Sequence, residues 1–207
     1  SFFANTASFL HKWMGDMRDS QNELGGFPGV APIAHYGTSY MRLGWADAGV
    51  IVPWTVWKQF GDKQIVDENW EAMNLFMNHI YETKYNHVAL KAENGNYQWA
   101  DWLSYEPMES HSKAYYISGT KDLDPDAVGY WNFLSASYWA IDAEMMADMA
   151  AATGRDAAYY KAMAERAKSY IKRSFLKADG TFKTAILNTM QTPALFALKV
   201  GVVEGKA

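Results

Sequence analysis

Four carboxylates, Asp47, Asp101, Glu106 and Glu109, fall where the helical pattern of the chain gives way to loops, and Trp45 and Trp102 stand beside them. Hydrolysis of a glycosidic acetal with inversion needs one protonated acid at the leaving oxygen and one carboxylate activating water, about 6.5–9.5 Å apart. On residue type and placement alone, Asp101 and Glu106 qualify as such a pair. Asp47 and Asp101 serve equally well as a helix cap and a turn residue. A carboxylate at a helix entrance meets free backbone N–H groups and the positive end of the helix dipole. Trp45, Trp54 and Trp102 offer flat apolar faces of the kind that stack on sugar rings, although an indole in mid-helix, as at Trp54, also suits a core.

Other chemistries find little support. His35, His79, His87 and His111 show no metal-ligand spacing. No glycine-rich phosphate loop follows a strand, and no serine sits in an elbow motif with histidine and aspartate partners. The absence of cysteine excludes disulfides and thiolate metal sites. Neither a cofactor nor a metal is expected.

The elements that must position these groups come from a chain of 207 residues, 49% apolar, enough for one sizeable core. A net charge of −4 argues against a nucleic-acid or anionic-membrane partner held by bulk electrostatics. No apolar run approaches the roughly 20 residues needed to span a bilayer, and no compartment is indicated. The nine Trp, thirteen Tyr and ten Phe call either for a large helical core or for a set of stacking platforms.

Apolar spacing predicts helices over Phe2–Ser20, from near Trp45 to Phe60, Asp62–Thr83, Gly129–Thr153 and Ala157–Leu176, with a last one from about Thr192 to Gly201. Pro53 falls inside the second, where a kink is expected if that helix is continuous. Asp156 is placed to cap the fifth, and Met145, Met146 and Met149 read as core. Lys84–Val128 reads as irregular, with Pro107 and Pro125 as breakers and a short helix near Ala100–Tyr105.

A strongly apolar helix, a short glycine–aspartate turn and an amphipathic helix occur in that order at 45–83 and again at 129–176. The short turns follow the apolar helices and the long connections precede them. Stacked side by side, such hairpins collect their short turns at one end and their long loops, where function is usually built, at the other. An apolar helix beside an amphipathic one also implies inner and outer layers. The expected fold is therefore all-α, a partial (α/α)6 toroid of about three helical hairpins in a single domain over 1–207.

The runs FLHKWMGDMRDSQNELGGFPGVAP and GWADAGVIVPWTVWKQFGD, the segment Ala100-Asp101-Trp102-Leu103, LSASYWAIDAEMMADMAAATGR and Gln191-Thr192-Pro193-Ala194-Leu195 occur in family order. Together they make the chain resemble the catalytic domain of glycoside hydrolase family 78, the inverting α-L-rhamnosidases built on an (α/α)6 barrel. One local departure is Ala100, where the family usually has glycine. The resemblance implies that the general-acid glutamate lies ahead of the first helix here and the general base beyond Ala207, so that the chain is an internal fragment truncated at both ends. Asp47 and Asp101 then become hydroxyl-binding or supporting residues, and Trp45, Trp54 and Trp102 sugar-facing ones. The implied partner is a rhamnose-containing glycoside or polysaccharide.

Two alternatives remain open on the sequence. One is a non-catalytic helical-hairpin protein that holds a glycan or acts as a scaffold; the other is a different six-hairpin glycosidase or a polysaccharide lyase. Inner helices lacking neighbours would also favour self-association.

Overall fold

The computed structural model describes residues 5–33, 43–81 and 125–204, without the side chains of 125–128 and 131. Within them lie seven helices: α1 (Ala7–Asp19), α2 (Ala48–Phe60), α3 (Gln64–His79), α4 (Pro125–Ala152), α5 (Ala157–Phe175), α6 (Ala185–Thr189) and α7 (Gln191–Val200). Among the described residues extended pairing is limited to one antiparallel bridge, Leu176 with Phe182. No described helix is long and apolar enough to cross a membrane.

The short turns form for local reasons. Gly61 and Gly154 both adopt left-handed backbone angles, φ 72° and 74°, which side-chain-bearing residues rarely take. Asp156 then caps α5 by accepting the Ala158 N–H at 2.8 Å. Pro53 is buried within a continuous α2.

Packing follows the two-layer expectation. α4 runs against α5 over the most extensive helix interface, and α2 packs against α1, α3 and α4. Met146 and Met149 are fully buried and Met145 packs against the core they join. On the amphipathic helices, the Tyr160 and Tyr159 hydroxyls of α5 donate to Asn74 and Asn78 of α3, each at 2.6 Å. Trp70 meets Tyr160 edge-on with ring centroids 5.7 Å apart.

Several boundaries differ from the sequence reading. α4 begins four residues earlier, at Pro125, because a proline at the first helical position loses no intrahelical bond. It is a helix starter and not a breaker. α1 begins at Ala7, behind non-helical Asn5 and Thr6. The connection before the last helix contains the additional short helix α6, whose Asn188 ties it to the Phe182 backbone in both directions. The last helix starts at Gln191, which makes Pro193 its third residue. The helix expected near Ala100–Tyr105 lies outside the described residues.

Candidate functional site

The turn over residues 43–47 delivers the chain into α2 at the long-loop end. Leu43 and Ala46 are buried and fix the turn on the core. Asp47 sits at the N-cap position, and its carbonyl accepts the N–H groups of Val50 and Ile51 at 2.9 and 2.8 Å. Its side chain does not cap the helix. Instead Oδ2 turns back and accepts the backbone N–H groups of Gly44 at 2.5 Å and Trp45 at 3.0 Å. A carboxylate at a helix entrance was legible in the sequence; the direction of its bonds was not.

Trp45 is 44% exposed, and its indole N–H donates to the Gly29 carbonyl at 2.6 Å. The indole is thus anchored by its N–H edge while nearly half of the residue stays accessible, as a sugar-stacking residue requires. Behind the turn, Phe27 packs so closely on α2 that a Cβ at Gly49 would lie 2.2 Å from its ring.

Asp47 is 1% exposed and faces a second buried acid, Asp142 of α4. Asp47 Oδ1 and both carboxyl oxygens of Asp142 accept from no donor among the described residues. Burial pushes the Asp47 carboxyl above its ordinary value, opposed by the hydrogen bond with Asp142 and by the backbone N–H groups it accepts. Burial first, and then the neighbouring charge of Asp47, pushes Asp142 well above the usual carboxylate range. The two carboxyls lie within hydrogen-bonding reach of each other. An inverting acid and base stand about 6.5–9.5 Å apart, with a water between base and sugar, so this pair is not such an arrangement.

Asp142 carries no mark of function in its immediate sequence, lying between Ile141 and Ala143 in a long apolar helix. The available signal was its place in a predominantly apolar helix, where an acid that is buried must be paired or neutral. Two turns nearer the loop end, Ser135 is likewise buried, with no hydroxyl partner among the described residues.

Trp54 lies seven residues beyond Asp47, about 10 Å along α2 at 1.5 Å per residue. Its indole N–H donates to Asp148 of α4 at 3.3 Å. Lys58 bridges to Asp148 at 3.4 Å while its ammonium lies 4.2 Å from the Trp57 ring centroid and 5.4 Å from that of Trp54. Trp54 therefore belongs to a half-exposed cation–π cluster on the α2–α4 seam, away from the 43–47 turn. Asp101, Trp102, Glu106 and Glu109 lie outside the described residues, as do His35, His87 and His111. His79 is half-buried on α3. Among the described residues no group of three His, Asp or Glu side chains is placed to hold a metal ion.

Comparison with known proteins places these features in a family. Residues 1–207 match the model of the bacterial alpha-L-rhamnosidase six-hairpin glycosidase domain. An alpha-L-rhamnosidase of Streptomyces avermitilis is 28% identical over 184 residues, 88% of this chain and 15% of that protein. One from Formosa agariphila is 27% identical over 200 residues, 95% of this chain and 19% of the relative. The chain thus spans less than a fifth of the length of either. The crystal structure of the Streptomyces avermitilis enzyme complexed with L-rhamnose superposes with a TM-score of 0.73 at 25% identity, over 96% of this chain and 16% of that one. The alpha-L-rhamnosidase from Dictyoglumus thermophilum, at 21% identity and TM-score 0.71, shares the fold over 97% of this chain and 20% of its own.

Proposed function

The chain belongs to the bacterial α-L-rhamnosidase six-hairpin glycosidase family, and from that membership we propose that it is the central part of a domain releasing terminal α-L-rhamnosyl residues from a glycoside or polysaccharide with inversion. What carries this reading is the match of the whole chain, residues 1–207, to the glycosidase-domain family. Within it the 43–47 turn contributes Trp45 as a sugar-facing wall, with Asp47 as its support. Trp54, Asp101 and Trp102 remain further candidates for contact with substrate. In this reading the general acid and base lie outside the chain.

The test is hydrolysis of an aryl α-L-rhamnoside by this chain beside a longer protein carrying a complete six-hairpin domain. Activity confined to the longer protein supports the reading. Turnover by the 207 residues alone would relocate the acid and base to this chain, with Asp101 and Glu106 the first to substitute. Self-association belongs to the same proposal, because Leu195 and Leu198 of α7 stay 63% and 46% exposed. Light scattering that shows a strict monomer at all concentrations would remove it.

A further inference from the structure

Asp47 and Asp142 are the two buried acids among the described residues, brought from distant parts of the chain into mutual contact. The charged groups on the surrounding helices are engaged elsewhere. Glu144 of α4 pairs with Lys168 of α5 at 2.6 Å, Asp148 with Lys58 of α2, and Arg18 of α1 donates to Asn69 of α3 at 2.6 Å. Lys199 of α7 is exposed to solvent. Among the described residues each buried carboxyl therefore has the other as its dominant charged neighbour. Two ionised carboxylates in contact, removed from water and from cations, are strongly disfavoured, whereas one proton between them turns repulsion into a hydrogen bond. The backbone settles which acid keeps it: Asp47 Oδ2 already accepts from Gly44 and Trp45, contacts that favour the ionised form, while Asp142 accepts none among the described residues.

We infer that Asp142 is a positioning residue: its carboxylic acid donates to Asp47, and the pair locks the 43–47 turn and with it the partly exposed indole of Trp45. The line of force is short. Asp142 holds Asp47, Asp47 gathers the N–H groups of Gly44 and Trp45, and the indole N–H of Trp45 completes the hold on Gly29. Loss of the shared proton would set two negative charges against each other directly beneath the turn. What Trp45 meets in solution rests on the rhamnosidase reading; the proton and the turn do not, so the experiment follows the indole without any sugar.

Fluorescence of the chain is titrated from about pH 5 to about pH 10, a range that brackets the ordinary carboxylate and imidazole values on its upper side. The same titration of Trp45→Phe is subtracted to isolate this indole. The expected result is a transition above the ordinary carboxylate range that disappears when the difference is taken in an Asp142→Asn background. The amide still donates to Asp47 but has no such proton to lose. A transition that survives Asp142→Asn, or a flat wild-type difference across the range, overturns the inference. Amide hydrogen exchange at Gly44 and Trp45 gives a second arm in the unmodified chain. Protection should fall by about tenfold beyond the intrinsic pH dependence across that transition, the signature of a local opening. Below it, protection should persist in Asp142→Asn and be lost in the apolar Asp142→Leu. Unchanged protection in Asp142→Leu would leave the pair without a role in holding the turn.

Discussion

The two ends of the helical hairpins handle charge in opposite ways. At the short-turn end charges are partly exposed and matched with opposite ones. His11 bridges Asp62 at 2.7 Å and Glu68 at 3.2 Å, Arg155 pairs with Asp67 at 2.7 Å while covering the Trp70 ring, and Lys63 donates to the last carbonyl of α4 at 2.7 Å. At the long-loop end two like acids are buried against each other, with no cation paired to either among the described residues. The first arrangement contributes modest stability and asks nothing of the backbone. The second is costly and survives because it fixes a turn carrying an exposed indole. Local cost concentrated where a side chain is presented to solvent is the expected mark of a functional end.

Substitutions at the two ends should therefore differ in size. Asp47→Ala removes the acceptor for two backbone N–H groups and the partner of Asp142, and should lower unfolding free energy by about 3 kcal/mol in denaturant titrations. A loss under about 1 kcal/mol would mean the turn holds itself. Gly49→Ala forces the Phe27 ring aside and should cost about 2 kcal/mol while leaving helix content intact by circular dichroism.

The pH dependences differ in shape at the two ends: one falls with rising pH, the other is bounded on both sides. Asp142 has a folded-state value raised above its unfolded one, so its contribution is fully present below the unfolded value and is lost as pH rises through the folded value. Between those two values stability should decline by about 1.4 kcal/mol per pH unit, and Asp142→Asn should flatten that slope. His11, raised first by its hydrogen bond to Asp62, also stabilises most below its unfolded value and loses this as pH rises through the folded one. Asp62, lowered by the same contact, contributes above its own unfolded value and loses this as pH falls through the depressed one. The clamp should thus be strongest from about pH 4 to about pH 6.5, where His11→Ala costs about 1 kcal/mol, and near silent at alkaline pH. Smallest of all, Arg155→Ala should cost about 0.5 kcal/mol, more at low salt than at high.

The layered helical fold was legible because its signals are local: apolar periodicity, glycine turns at Gly61 and Gly154, and a capping aspartate at Asp156. Pro125 misled because a proline starts a helix as readily as it stops one, and α6 was too short to show a period. Trp45 and Asp47 stood out by composition beside a glycine. Asp142 did not, because what makes it notable is a contact with a residue far away in the chain, which no local pattern records. Trp54 looked equivalent to Trp45 as a residue type; only the packing of α2 on α4 separates the two, giving one to Asp148 and leaving the other at the rim.

The most direct test of the account is L-rhamnose binding to the chain, measured by calorimetry or ligand-observed resonance, in wild type, Trp45→Ala and Trp54→Phe. The account predicts that Trp45→Ala weakens binding by about tenfold, the value of one good aromatic contact, while Trp54→Phe changes it much less. Binding unaltered by Trp45→Ala, or abolished by Trp54→Phe, would contradict the assignment of the sugar site to the 43–47 turn.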